Sequence, residues 1–291
     1  MTIEDLQSKS AYAVLKRGHG ESERLNQQYQ FYKKLHHRNL ISDPRISIPP
    51  NGAVLDSATG TGAWILEVAQ ELPSSVSLYA VDIAPTLWPG PSSGIPSNVH
   101  YFVSSVTSLP KQWTNKFNLV NQSLLSVALK AVDWPTSISE LYRVTKPGGY
   151  IQLVEMSRIP PFPRGTGPAS NAVWELYNRM AVAAGFLTTP MSEVPLMLEE
   201  AGFCDVTVQV EPAAIGGKRF GGDNGVEALD VLGKAFVALK DIFMVNQGFG
   251  VVKKEEYDGL IERYLREIEE TGARAGMELC YICARKGMRG I

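Results

Sequence analysis

The stretch from Val54 to Trp64, VLDSATGTGAW, constrains the fold of this chain more than any other segment. An apolar run ends on a carboxylate, Asp56, and two glycines, Gly60 and Gly62, precede a segment with helical periodicity. Glycine has no Cβ, so the backbone can turn tightly here and approach a ligand closely. The pattern therefore predicts a buried parallel strand, a glycine turn and a helix, which together open an α/β sheet.

A second carboxylate, Asp82, closes the next apolar run, LYAV, about twenty residues further on. The tip of the second strand is where such sheets usually hold the hydroxyls of a nucleoside ribose. A dinucleotide turn requires a third glycine, but this chain has Ile65 there, and Asp56 would repel a pyrophosphate. S-adenosylmethionine, which carries an ammonium and a sulfonium and no phosphate, suits that carboxylate better. The alternative is a tight glycine turn in an ordinary α/β protein, which the spacing to Asp82 disfavours.

Three motifs resemble class I S-adenosylmethionine-dependent methyltransferases: the glycine turn at 54–62, VDIAP at 81–85 and LYRVTKPGGYI at 141–151. The GHGESERLNQQY run at 18–29, together with Tyr12 and Trp134-Pro135, is similar to a narrower branch, the methyltransferases of fungal secondary metabolism. That branch also includes a methyltransferase-like regulator. The likeness covers residues 10–156 and is weak from 157 to 291.

The resemblance and the apolar pattern together predict an α/β fold with a Rossmann-like, seven-stranded methyltransferase sheet. The predicted strands lie at 53–56, 78–82, 99–103, 117–121, 150–155, 205–210 and 277–285. More than sixty residues separate the last two strands, far more than a hairpin needs. We therefore predict an N-terminal helical lid at 1–50, a cofactor-binding core at 51–211 and 276–288, and a helical cap insertion at 212–275.

The resemblance implies cofactor contacts for residues at the strand ends. Asp56 and the turn from Gly60 to Gly62 are expected to hold the amino-acid end of S-adenosylmethionine, Asp82 its ribose hydroxyls, and Ile83 the adenine. The family usually has an acidic residue after the third strand, but this chain has Ser-Ser-Val-Thr there, so a serine hydroxyl or a backbone group would replace it. The further candidates are Ser57, Ala58, Ser105, Val106, Asn121 and Gln122. For Asn121 and Gln122, capping of the next helix is an equally good interpretation.

Methyl transfer depends mainly on alignment, and a general base matters only where the acceptor must lose a proton. His19, between two glycines in the expected lid, is the best candidate base, although a surface or helix-cap role is commoner for such a histidine. Tyr12 and Trp174 are candidates for an aromatic acceptor pocket, and aromatic residues at helical spacing are equally typical of a core. Glu155 closes the fifth strand and is a candidate substrate contact.

Composition narrows the class of partner. The net charge of −2 does not favour nucleic acid or a membrane surface, and no apolar run has transmembrane length. Three cysteines do not make a disulfide framework, and no acidic cluster has the spacing of a metal site. We therefore predict a cytoplasmic S-adenosylmethionine-dependent methyltransferase that acts on a small secondary metabolite. The alternatives are a methyltransferase-like regulatory protein and a cofactor-bound cyclase that transfers no methyl group.

Overall fold

The computed structural model describes residues 19–36, 39–90, 92–160, 167–245 and 253–288. Tyr12 lies outside these residues. His19 is the first residue of a helix, and its backbone is described but its side chain is not.

Seven strands form one mixed sheet, and most of them coincide closely with the predicted positions. They are β1 Ala53–Ser57, β2 Ser77–Asp82, β3 Val99–Val103, β4 Phe117–Ser123, β5 Thr145–Met156, β6 Phe203–Ile215 and β7 Ala273–Lys286. Their order is β3-β2-β1-β4-β5-β7-β6. The first five strands are parallel, and β7 is antiparallel to both of its neighbours. The predicted Rossmann-like α/β fold is confirmed.

Helices cover both faces of the sheet. They are α1 His19–His36, α2 Ala63–Glu71, α3 Trp134–Val144, α4 Pro168–Ala184, α5 Pro190–Glu200, α6 Lys218–Val245 and α7 Lys254–Thr271. α6 and α7 lie between β6 and β7, inside the predicted insertion. The two strands extend further into that segment than predicted, since Ile215 of β6 still pairs with Ala273 of β7. Within the described ranges, no helix has both the length and the apolar character needed to cross a bilayer.

Successive residues of a buried strand face opposite sides of the sheet, and β1 shows this clearly. Val54 packs in one core with Ile65 of α2, whereas Leu55 packs in another with Ile138 of α3. Asp56 follows the same alternation and lies on the α2 side. The face of the sheet on which a residue at the end of a strand lies is therefore set by its position along that strand.

A third core joins α1 to α4, α6 and α7, and it includes Ile215 at the end of β6 and Leu279 near the start of β7. Tyr177 of α4 packs edge-on against Phe236 of α6, with ring centroids 5.1 Å apart. α1 is tied to the same layer by polar contacts, because Lys34 pairs with Glu227 at 2.6 Å and Gln27 donates to Asp230 at 3.0 Å. These helices form a layer over the carboxyl ends of the central strands.

Candidate functional site

The glycine turn lies at the carboxyl end of β1, where the strand order reverses between β1 and β4 and where open α/β sheets bind ligands. Three of its residues adopt the left-handed conformation: Ala58 with φ 60°, Gly60 with φ 57° and Gly62 with φ 81°. The backbone is held by Thr59, whose N–H donates to the Val81 carbonyl at 2.8 Å and whose own carbonyl accepts from the N–H of Gly62 at 2.9 Å. The turn is therefore anchored to β2 as well as to β1.

Asp56 is buried beneath this turn and accepts two hydrogen bonds within the protein. The Thr59 hydroxyl donates to its Oδ2 at 2.5 Å, and Asn121 Nδ2 donates to its Oδ1 at 2.8 Å. Burial raises the pKa of Asp56 to about 6, against these two hydrogen bonds, and the nearby Asp82 carboxylate raises it further. Two negative charges close to the turn favour a ligand with positive charge over a phosphate.

Asp82, at the end of β2, also hydrogen-bonds to the backbone of the glycine turn. Its Oδ2 accepts from the backbone N–H of Gly60 at 2.9 Å, and its Oδ1 accepts from that of Ala84 at 3.4 Å. Each carboxylate oxygen can accept more than one hydrogen bond, so the side chain can still receive hydroxyl donors from a ligand.

The two glycines of the turn are required for different reasons. A Cβ on Gly62 would lie 2.4 Å from the hydroxyl oxygen of Tyr101, a β3 side chain that presses on the turn. Among the described atoms, a Cβ on Gly60 would meet only Leu25 Cδ1, at 4.0 Å. Gly62 is thus needed for packing, and Gly60 leaves the backbone open toward the cavity, as a cradle for a bound group requires.

A cavity of about 520 Å³ extends from the turn to the helical layer. Its polar half is formed by strand ends and the loops that follow them: Asp56, Ala58, Gly60, Asp82, Ile83, Ser105, Val106, Asn121 and Gln152. Its other half is mainly apolar and aromatic: Tyr32, Leu125, Met156, Ile159, Tyr177, Met180, Val231, Leu232, Ala235, Phe236, Leu239 and Tyr281. The volume and the two-part lining are typical of a site for small molecules.

Eight of the predicted cofactor residues line this cavity, and three do not. Ser57 and Gln122 are completely buried and lie on the opposite, α3 side, because each follows by one residue a side chain that faces the cavity. Gly62 packs on Tyr101 instead. The residues that the structure brings together are Asp56, Ala58, Gly60, Asp82, Ile83, Ser105, Val106 and Asn121.

The predicted substrate residues are placed differently from expectation. Trp174 packs beside the helical core, and neither it nor Glu155 lines the cavity. Glu155 is completely buried, and its carboxylate accepts from the backbone N–H groups of Leu125 at 2.8 Å and Ser126 at 3.0 Å, as well as from the Ser126 hydroxyl. Burial raises the pKa of Glu155 to about 7, opposed by these hydrogen bonds. Glu155 therefore shapes the loop after β4, and Leu125 and Ser126 of that loop reach the cavity.

Several cavity residues come from α1, which the sequence suggested only as part of a general lid. Arg24 forms a two-pronged ion pair with Glu21, with both contacts at 2.8 Å, and also donates to Gln28 at 2.7 Å. Asn26 accepts from the hydroxyl of Thr61 at 2.6 Å, which ties α1 to the glycine turn. The ESERLNQQ run contains Glu21, Arg24, Asn26 and Gln28, so its likeness to one branch of the family was the available signal.

Another residue absent from the sequence prediction is Gln152 of β5. It is 3% exposed, lines the cavity and donates to Asn121 Oδ1 at 3.0 Å. A glutamine in an apolar strand, GYIQLVE, is the signal that marks it. Among the described side chains, no group of three or more His, Cys, Asp or Glu is arranged to hold a metal ion.

Comparison with known proteins agrees with this geometry. Residues 54–149 match the model of a methyltransferase domain. The N-methyltransferase sirN of Leptosphaeria maculans is 30% identical over 241 residues, covering 80% of this chain and 82% of sirN. The N-methyltransferase tcpN of Claviceps purpurea is 26% identical over 272 residues, covering 91% of this chain and 94% of tcpN. The crystal structure of the (4+2)-cyclase SpnF shares the fold, with a TM-score of 0.50 and 16% identity over 89% of this chain and 81% of that one.

Proposed function

Because this chain belongs to the S-adenosylmethionine-dependent methyltransferases of fungal secondary metabolism, we propose that it methylates a nitrogen atom of a small, largely apolar molecule. The protein is a methyltransferase that uses S-adenosylmethionine and acts on a small-molecule acceptor. When bound, the cofactor supplies a methyl group on a sulfonium that needs no further activation. The remaining tasks belong to the chain: to bind, to orient and to exclude water.

The polar half of the cavity fits this cofactor, and its residues take the following roles in our proposal. Asp56 and the open backbone at Gly60 hold the charged amino-acid end, since an ionised carboxylate favours an ammonium partner. Asp82 accepts hydrogen bonds from the ribose hydroxyls. Ile83 and Val106 pack on the adenine, and Ser105 offers a hydroxyl beside it.

The observation that carries the proposal is the continuity of the cavity. The same space that touches Asp56 and Asp82 also touches Tyr177, Met180 and Phe236 of the helical layer. An acceptor in the apolar half therefore lies beside the cofactor and away from bulk water. Such positioning supplies most of the acceleration of a displacement reaction, on the order of 7–11 kcal/mol when it is ideal.

The choice of nitrogen rests on the relatives and on the lining. Both sirN and tcpN are N-methyltransferases. A neutral amine nitrogen attacks with its lone pair and can lose its proton afterwards, so an amine acceptor needs the exclusion of water more than it needs a general base. Burial against Leu125 and Met180 would also favour the neutral form of an amine over its ammonium.

The helices around the apolar half act as the substrate cap in this proposal, with 51–211 and 276–288 as the core beneath. α1 contributes Tyr32 and α6 contributes Phe236 to the wall, and the two helices are joined by exposed polar contacts such as Lys34 to Glu227. Exposed ion pairs are weak, about 0–1 kcal/mol each. The buried side chains of the helical core, including Phe31 and Tyr32 of α1, therefore hold the cap together more than these ion pairs do.

The test is a transfer assay with paired acceptors. The purified protein is incubated with S-adenosylmethionine and with apolar amines, amides and heteroaromatic amines, each matched with its oxygen counterpart. We expect S-adenosylhomocysteine release and the mass gain of one methyl group for nitrogen acceptors. Asp82→Ala should weaken cofactor affinity by about 1–3 kcal/mol and serves as the control that transfer requires this site.

The other outcomes discriminate between alternatives. Methylation of oxygen acceptors alone would overturn the assignment to nitrogen. Conversion of an acceptor without mass gain would indicate the cyclase. Tight cofactor binding with no turnover on any acceptor would favour the regulatory protein.

A further inference from the structure

Three polar side chains form a single row across the centre of the sheet. In the strand register Asp56 of β1 lies opposite Asn121 of β4, and Asn121 lies opposite Gln152 of β5. All three are at most 3% exposed. The row runs from the carboxylate under the glycine turn to a residue of β5 that the proposed function has not used. We infer that Gln152 is a positioning residue, which fixes the donor direction of Asn121 and through it the hydrogen bonding of Asp56.

The amide of Gln152 uses all of its hydrogen-bonding capacity. Its Oε1 accepts from both the backbone N–H and the hydroxyl of Ser42, each at 2.8 Å. Its Nε2 donates to the carbonyl of Leu40 at 2.9 Å and to Asn121 Oδ1 at 3.0 Å. An amide has two donor hydrogens and one carbonyl oxygen that accepts two bonds, so none is left over.

Two backbone groups decide which way this amide points. The backbone N–H of Ser42 can only donate, and the carbonyl of Leu40 can only accept. Rotation of the Gln152 amide by 180° would set donor against donor and acceptor against acceptor at both places. The orientation of Gln152 is thus imposed by the main chain and not by another rotatable side chain.

This direction is passed along the row. Because Gln152 offers a donor to Asn121, the Asn121 amide must present its oxygen to Gln152 and its Nδ2 to Asp56, where the distance is 2.8 Å. A reversed Asn121 would bring an oxygen against the buried carboxylate. A buried polar group without a hydrogen-bond partner is costly. The orientation of Gln152 therefore determines that of Asn121, and Asn121 then presents a donor to Asp56.

The row also connects two parts of the site that are distant in sequence. Leu40 and Ser42 follow α1, and the Leu40 carbonyl additionally accepts from Trp64 Nε1 at 3.1 Å. Gln152 therefore holds the segment behind the cap while it orients the residue that contacts Asp56. This inference rests on the proposed role of Asp56 toward the cofactor and is independent of the acceptor.

The test measures the affinity for S-adenosylhomocysteine by calorimetry in a double-mutant cycle on the full chain. Gln152→Met keeps the volume and removes every amide hydrogen bond, and we expect about tenfold weaker binding. In an Asn121→Ala background the same change should alter affinity by less than about twofold, because Gln152 can no longer act on Asp56 through the Asn121 amide. Gln152→Glu keeps the shape but cannot donate when it is ionised, and above the pKa of this carboxyl it should weaken binding at least as much as Gln152→Met.

A pH profile separates positioning from general stability. Without the Asn121 donor, the pKa of Asp56 should rise, so the pH midpoint of binding should move upward in Gln152→Met. Among the described residues, the other titratable groups that act on Asp56 are Asp82 from β2, Tyr29 from α1 and Tyr101 from β3, and all are unchanged in this variant. Gln30→Met, the same replacement at an exposed position of α1 outside the cavity, should leave affinity and midpoint unchanged.

The results that would overturn the inference are distinct from failure of the proposed function. Equal losses from Gln152→Met in the wild-type and Asn121→Ala backgrounds would reduce Gln152 to a structural residue. An unmoved pH midpoint in folded Gln152→Met or Gln152→Glu would do the same. If the wild-type protein itself does not bind S-adenosylhomocysteine, the cofactor role of Asp56 fails and this inference fails with it.

Discussion

Hydrogen bonds organise the polar half of the cavity, whereas apolar packing organises the other half. In the polar half, neighbouring strands place one side chain each at paired positions of the sheet. Asp56, Asn121 and Gln152 are joined there by hydrogen bonds of 2.8 and 3.0 Å. In the apolar half, side chains from separate helices pack against each other, as do Tyr177 and Phe236, whose ring centroids are 5.1 Å apart. Directional bonds define a geometry, whereas packing defines a volume.

This difference predicts how each half responds to change. The polar half should react sharply to the loss of a single donor or acceptor, because each group is buried and committed to a partner. The apolar half should react to added or removed volume and should leave cofactor affinity alone. Substitutions that remove a hydrogen-bonding group, or that change side-chain volume, in one half only therefore test whether the two halves act independently.

The largest effect is expected from Ala235→Trp on α6, which places a large ring in the apolar half. Methyl transfer to an acceptor found in the paired screen should fall more than about 100-fold, since the acceptor loses its position. Affinity for S-adenosylhomocysteine should stay within about twofold. Val237→Trp, two residues away at a position that is 70% exposed, is the matched control and should change neither quantity. Parallel losses of affinity and transfer in Ala235→Trp would show that the halves are not separate.

Asp56→Ala tests the polar half. Removal of the carboxylate leaves Thr59 and Asn121 without their acceptor and deprives the ligand of its counter-charge. We expect affinity for S-adenosylhomocysteine to fall by about 2–3 kcal/mol, roughly 30- to 150-fold, measured by calorimetry. Asp223→Ala, at an exposed carboxylate of α6, is the control. An unchanged affinity in folded Asp56→Ala would remove Asp56 from the cofactor site.

Gly62→Ala tests the steric boundary of the turn. The new Cβ would meet the Tyr101 hydroxyl oxygen at 2.4 Å, and φ of 81° strains any residue with a side chain. The free energy of unfolding should fall by about 1–3 kcal/mol in chemical denaturation. Tyr101→Phe should recover part of this loss, because the Tyr101 hydroxyl is buried without a hydrogen-bond partner in the described residues. Gly20→Ala, where a Cβ meets no described atom within 4 Å, should cause no loss.

The smallest effect is the pH dependence of cofactor binding. The pKa of Asp56 in the free protein is raised to about 6, and a positively charged ligand favours the ionised form. Affinity should therefore be full above about pH 7 and should decline below about pH 6, by at most about tenfold per pH unit. Calorimetry in buffers of matched ionic strength measures the decline. Asp56→Asn should flatten it, and a decline that persists in this variant would point to another group such as Glu155.

Much of the sheet was predictable because its signals are local. Apolar runs bounded by turn residues located the parallel strands, and the third strand, Val99–Val103, matches its predicted range. β6 and β7 were predicted too short because their outer residues are held by pairing with each other and not by apolar character, as Pro212 opposite Glu278 shows. Pairing between antiparallel strands can extend a strand beyond its hydrophobic part.

The site itself was predictable only in part. Asp56, Asp82 and Gly60 stand out by their place after an apolar run or in a turn, and they line the cavity. Ser57 and Gln122 were predicted to contact the cofactor, but alternation along a strand places them on the face opposite Asp56 and Asn121. That rule was available from the sequence. Glu155 looked accessible at a strand end, but the loop after β4 folds over it and uses its carboxylate.

The sequence by itself determined the fold class, the glycine turn and the two carboxylates beside it, because each depends on residues close together in the chain. Only the tertiary structure decided that Gln152 meets Asn121 and Asp56 in one row, because strand register joins residues 31 and 65 positions apart. It also decided which aromatic side chains line the acceptor half, since Tyr177 and Phe236 come from helices whose packing no local pattern specifies. Local chemistry shows what the site can bind, and long-range packing decides what shape it accepts.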